Sequence, residues 1–199
     1  MSSKENKYTN EDLKQMQSWP LDRKIQVTQT RIIEWYLKFN GQVYVSFSGG
    51  KDSTVLLDIA RKAFPDIPAV FIDTGLEYPE IRDFVKTIDN VTWIKPEMNF
   101  KRVITTYGYP LVSKEVSNSI YYAKKNINDG KITTRVQRLF GELKDNNGNP
   151  SQYNCSKWKY LLNAPFDISS KCCDVMKKKP AKKYNAESGR KPIIATMAC

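Results

Sequence analysis

The residues Val43-Tyr44-Val45-Ser46-Phe47-Ser48-Gly49-Gly50-Lys51-Asp52-Ser53 decide the fold. Val43 to Phe47 read as a short buried strand, and Thr54 to Ala63 set Val55, Leu56, Ile59, Ala60 and Ala63 at helical spacing. Ser48 to Ser53 therefore form a strand-to-helix turn. Two successive glycines let the backbone approach a ligand closely, and the first N–H groups of the helix, with its dipole, favour an oxyanion there. Ser48, Lys51 and Ser53 add side-chain donors.

Two familiar phosphate loops fail at this turn. An ordinary P-loop needs a glycine five residues before the Gly-Lys pair and a Ser or Thr directly after it, and Val45 and Asp52 stand at those places. No G-x-G-x-x-G follows the strand, which excludes the dinucleotide fingerprint.

Working outward, Ala69 to Ile72 read as a second strand and Val91 to Ile94 as a third. Asp73-Thr74-Gly75-Leu76-Glu77-Tyr78-Pro79-Glu80 leads into a helix that begins near Pro79. Such alternation implies right-handed crossovers and a parallel sheet. Ligands bind at the carboxyl ends of such strands, where Ser48 and Asp73 both fall.

The fold class is α/β: a Rossmann-like parallel sheet flanked by helices, preceded by a helical segment over residues 1–40. In that segment Thr9-Asn10-Glu11-Asp12 has the form of a capping box. Ile25, Ile32, Ile33, Tyr36 and Phe39 lie near one face of a helix from Leu21 to Phe39. Residues 41–199 form the α/β domain, with a mostly helical insertion at about 117–163. Lys114 to Lys125 and Thr133 to Lys144 read as helices, Asp145-Asn146-Asn147-Gly148-Asn149-Pro150 as a loop, and Pro192 to Ala198 as a closing strand.

A chain of 199 residues with 40% apolar content can bury one sizeable α/β core. The absence of a membrane-length apolar run and the polar start Met-Ser-Ser-Lys-Glu-Asn-Lys lead to the expectation of a cytoplasmic protein with no membrane partner. Four cysteines in such a setting point to thiol, metal or core roles. The 32 Lys and Arg exceed the 21 Asp and Glu, giving a formal charge of +11, which attracts nucleotides, sulfated metabolites or nucleic acid. Lys171 to Lys183 hold much of the excess. They read either as a solvated face or as a contact for an anion such as nucleic acid. There is no histidine, so carboxylates, lysines, thiols or positioning must carry any catalysis.

Ser48-Gly49-Gly50-Lys51-Asp52-Ser53 resembles the pyrophosphate loop (PP-loop) of the adenine nucleotide alpha-hydrolase superfamily, which includes ATP pyrophosphatases and sulfonucleotide reductases. Phe71-Ile72-Asp73-Thr74-Gly75-Leu76-Glu77-Tyr78-Pro79-Glu80 resembles the second motif of the phosphoadenosine phosphosulfate (PAPS) reductase family. Lys171-Cys172-Cys173 and Gly189 to Ala198 join the resemblance.

The resemblance implies an enzyme that binds ATP with Mg, or PAPS or adenylylsulfate, for adenylation or for sulfur transfer or reduction. Lys51 would then pair with phosphate or sulfate oxygens and carry the catalytic role. Asp52 would orient the loop or help hold Mg. Asp73, Thr74 and Gly75 would lie near the nucleoside, with plain turn chemistry as the alternative. Lys114 would add a basic contact or merely start a helix. Cys172, Cys173 and Cys199 resemble part of an iron–sulfur ligand set, with buried inert thiols as the alternative. In the family the last strand is followed by more sequence, so the resemblance leads to the expectation of a C-terminally truncated representative, with a genuine short protein as the alternative. The family's C-terminal Glu-Cys-Gly motif is missing, which argues against complete sulfonucleotide reduction by these residues alone. Other expected readings are a nucleic-acid sulfur-modification component using ATP, a nucleotide-binding module without turnover, and a homodimer.

Overall fold

The computed structural model describes residues 9–196. Four strands form one all-parallel sheet: β1 (Val43–Ser46), β2 (Ala69–Ile72), β3 (Val91–Ile94) and β4 (Lys191–Ile193), in the order β3-β2-β1-β4. The registers align Val45 with Ala69, Ala69 with Val91, and Val43 with Lys191. β4 is shorter than the strand expected from Pro192 to Ala198, and Ala198 lies outside the described residues.

Two helices precede the sheet, α1 (Asn10–Ser18) and α2 (Leu21–Lys38). Thr9 caps α1 by accepting from the Asp12 N–H, and the Asp12 carboxylate accepts from the Thr9 N–H, so the capping box forms. Along α2, Ile25, Ile32, Tyr36 and Phe39 face the core, while Ile33 is exposed because it sits about 100° around the helix from Ile32. Helices α3 (Lys51–Ala63) and α4 (Pro79–Lys86) are the crossovers.

Helix α3 begins at Lys51 rather than at Thr54, because extended Gly50 is its N-cap and the Thr54 N–H already bonds the Gly50 carbonyl. The buried face follows Ser53, Leu57 and Ala60, spaced by four and three residues. Val55, expected inside, turns outward.

The chain divides into two compact units. The sheet unit comprises the described residues up to Asp73, Glu77–Ile94 and those from Lys182 onward. Its core is one cluster of Val43, Val45, Phe47, Leu57, Ala60, Ala69, Phe71 and Val85, joined by Ile32 from α2. Each Val, Leu, Ile or Phe side chain removed from water there contributes about 1.5–3 kcal/mol.

The helical unit holds Thr74–Leu76 and Lys95–Ala181. It contains α5 (Phe100–Tyr107), α6 (Lys114–Asn128), α7 (Thr134–Phe140), a 3₁₀ segment (Ser156–Asn163) and α8 (Lys171–Cys173). A π turn (Asp174–Lys178) then leads into α9 (Lys179–Ser188). Two small apolar clusters hold this unit together. One is built on Val116, Ile120, Val136 and Leu139, the other on Val103, Val175 and Met176.

Gly108 ends α5 at φ +98, where Tyr109 enters a short bridge: the Tyr109 N–H donates to the Asp167 carbonyl at 2.8 Å and the Ser169 N–H donates to the Tyr109 carbonyl at 3.0 Å. A Cβ on Gly108 would stand 2.4 Å from the Asp167 carbonyl oxygen, so only glycine fits. Val112 lies at φ +64, a backbone region that costs a β-branched residue about 1–3 kcal/mol.

Candidate functional site

The turn after β1 is closed on itself by hydroxyls. The Ser48 N–H donates to Ser53 Oγ at 3.2 Å, the two serine hydroxyls meet at 3.0 Å, and the Ser53 hydroxyl reaches the Gly50 carbonyl at 2.9 Å. Thr54 donates its own hydroxyl to the same carbonyl at 2.9 Å. Ser53 is thus buried and engaged within the loop, whereas Ser48 and Lys51 face solvent.

The two glycines serve different ends. Gly49 has φ +72, and a Cβ there would stand 2.8 Å from Ile81 Cγ2 and 2.9 Å from Val85 Cγ2, so α4 presses directly on bare backbone. Gly50 has ordinary dihedrals and room for a Cβ, which would meet only Ser48 Oγ at 3.4 Å. Nothing in the packing demands glycine at 50. Its lack of a side chain leaves the N-terminus of α3 without a side-chain cap. The first-turn N–H groups and the positive end of the dipole therefore point outward beside exposed Lys51 and Asp52.

At the end of β2, the Asp73 side chain is 3% exposed and accepts from Arg82 Nη2 at 2.9 Å, while its N–H bonds the Ile94 carbonyl. Arg82 went unnoticed in the sequence. The available signal was a basic residue in the first turn of the helix that follows the Asp-Thr-Gly strand end, and its Nε is buried without a hydrogen-bond partner. Asp73 therefore anchors α4 to the sheet, and its carboxylate is engaged. Thr74 Oγ1 accepts from the Leu76 N–H at 3.3 Å, and Gly75 follows at φ +76, which gives the turn chemistry of this segment.

The remaining expected residues lie in the helical unit. Lys114 is the exposed first residue of α6, behind the Ser113 cap. The Asp174 carboxyl is held below its ordinary range by its hydrogen bond from Lys178, with Lys171 and Lys114 as weaker positive neighbours. Lys178 is paired with Asp174 at 2.9 Å, Lys171 lies 5.8 Å from the Tyr121 ring, and Lys177, Lys179 and Lys182 are exposed.

Cys172 and Cys173 are consecutive residues of α8, and burial followed by the neighbouring Cys173 raises the Cys172 thiol above its ordinary pKa. Cys155 packs in the other apolar cluster, and Cys199 lies outside the described residues. Among the described residues no three Cys, Asp or Glu side chains converge as a metal site, so the adjacent thiols on their own do not fit an iron–sulfur cluster. No helix among them is long and apolar enough to cross a membrane.

A parallel sheet flanked by helices, with an uncapped, glycine-opened loop at a strand's carboxyl end, defines an α/β protein of Rossmann-like architecture. Residues 42–114 match the phosphoadenosine phosphosulfate reductase domain, so this segment is similar to that family. An uncharacterised protein of Methanocaldococcus jannaschii is 37% identical over 86 residues, 41% of this chain and 21% of that protein. The adenosine 5'-phosphosulfate reductase of Staphylococcus haemolyticus is 28% identical over 101 residues, covering 47% of this chain and 41% of the relative. The phosphoadenosine 5'-phosphosulfate reductase of Buchnera aphidicola is 42% identical over 59 residues, 29% and 24% of the two chains. The matched part of this chain thus spans between a fifth and two fifths of these relatives.

Proposed function

We propose that the chain binds a sulfonucleotide, adenylylsulfate or its 3'-phosphorylated form, with the phosphate and sulfate oxygens seated on the Ser48–Ser53 loop. The observation that carries this reading is the bare N-terminus of α3 at Gly50, flanked by the exposed donors Ser48 and Lys51. Its support from the comparisons is that proteins similar to part of this chain are named adenosine 5'-phosphosulfate reductase and phosphoadenosine 5'-phosphosulfate reductase. Lys51 balances the anionic charge, the first-turn N–H groups and Ser48 orient it, and Asp73 at the neighbouring strand end shapes the nucleoside side.

With no histidine in the chain, the loop's contribution to catalysis is orientation and charge stabilisation rather than proton transfer. The second reading takes ATP in the same loop, with exposed Asp52 helping to hold its Mg, for transfer of an adenylyl group to an acceptor.

Calorimetric titration of adenylylsulfate, PAPS and ATP, the last with and without Mg, separates the two. Tighter binding of either sulfonucleotide supports the first reading, and Mg-dependent preference for ATP replaces it with the second. Lys51→Ala should weaken the preferred nucleotide about tenfold or more, the scale of one charge-assisted contact. Unchanged affinity in that variant would remove the loop from both readings.

A further inference from the structure

Charge is unevenly divided between the units. Residues 95–181 contain 16 of the 32 basic residues and 7 of the 21 acidic ones, a formal charge of +9, against +2 for the rest of the chain. Within this unit a cavity of about 440 Å³ is lined by Glu115, Asn118 and Ser119 from α6, by Arg135 and Arg138 from α7, and by Tyr153. Arg138 is fixed in place, donating to Glu115 at 2.9 Å and to the Tyr153 carbonyl. Arg135 is held differently: its guanidinium lies 4.3 Å from the centre of the Tyr122 ring, and no carboxylate among the described residues pairs with it. Its N–H edge stays available to an anion.

The neighbouring 3₁₀ segment alternates Lys157, Trp158, Lys159 and Tyr160. Trp158 packs into the apolar cluster that includes α6 and α7, which pins the segment. Both lysines are exposed, as are Tyr160 (63%) and Tyr153 (56%), and the Lys159 ammonium stands 3.8 Å from the Phe140 ring centre. Exposed rings interleaved with cations suit a strand whose bases stack and whose phosphates need neutralising. The cavity adds a carboxylate, an amide and a hydroxyl, the groups that pair with the edge of a base.

We propose that this face of the helical unit binds single-stranded nucleic acid, with one nucleotide in the cavity and flanking bases stacked on Tyr153 and Tyr160. Lys157, Lys159 and Arg135 neutralise the adjoining phosphates. This goes beyond the nucleotide loop and uses none of its residues, and it assigns the strand to a different basic stretch from Lys171 to Lys183.

Fluorescence anisotropy of the full chain with labelled oligo-dT and oligo-rU of about 15 nucleotides, across a salt series, tests it. Tyr153→Leu/Tyr160→Leu should weaken binding about tenfold at constant charge. Lys157→Gln/Lys159→Gln should flatten the slope of log K against log salt by about 1.4, and Arg135→Gln by about half of that. Lys177→Gln/Lys179→Gln, the same charge change elsewhere in the unit, should alter the slope much less. Arg138 is left intact because it supports the fold, and circular dichroism verifies each variant. The proposal is overturned by absence of strand binding, by equal losses in the two lysine pairs, by indifference to the tyrosines, or by a mononucleotide that competes as well as the strand.

Discussion

The sheet unit and the helical unit solve the same problem with opposite means. In the first, strands of three or four residues run parallel and bury nearly every side chain of β1 and β2 in one cluster, and the net charge stays near zero. In the second, six short helical pieces, one of them 3₁₀ and one a π turn, divide their apolar residues between two small clusters and leave most of the excess positive charge outside. A sheet gains order from backbone pairing and needs few specific contacts. A set of short helices depends on individual joints, and those joints sit at single residues such as Gly108.

Substitutions at matched positions sharpen that contrast. Gly108→Ala sets a methyl against a backbone carbonyl that has no rotamer to escape into, at a positive φ, and should cost about 4 kcal/mol in chemical denaturation. Its loss of hydrogen-exchange protection should be confined to residues 95–181. Gly49→Ala meets only the methyl groups of Ile81 and Val85, which can shift, and about 3 kcal/mol is expected, with the exchange fingerprint now in the sheet unit. Spread of either fingerprint across both units would show that they unfold as one.

Arg82→Ala strips the Asp73 carboxylate of one partner. Because Arg82 is 42% exposed on its side chain and Asp73 has further support, the expected loss is about 2 kcal/mol, read as a lower denaturation midpoint. Val112→Gly runs the other way. Releasing the strained φ should raise stability by about 1 kcal/mol, visible as a small increase in Tm.

Legibility in the sequence followed the same division. Strands β1 to β3, the crossover helices, the parallel order and the Thr9 capping box could be read because each leaves a local mark: an apolar run, a helical repeat, Pro79 at a helix start. The loop was readable as a strand-to-helix turn, but not the separate duties of its glycines. Gly49 answers to Ile81 and Val85, more than thirty residues away in sequence. Arg82 was hidden for the same reason, since its pairing with Asp73 exists only once α4 packs on the sheet. Val55 and Ile33 were misplaced because several registers of a short helix look equally apolar until the core selects one.

The pairing of Val43 with Lys191 bears on how the chain is made. A ribosome releases β1, β2 and β3 once Ile94 has emerged, and at about 5–20 residues per second the segment carrying β4 follows roughly 5–20 s later. Throughout that interval the flank of β1 that will receive β4 presents unpaired N–H and C=O groups, an open template for a stray strand. The nascent protein is therefore most exposed to mispairing beside the loop proposed to hold its ligand, and chaperone occupancy should peak during synthesis of the helical unit.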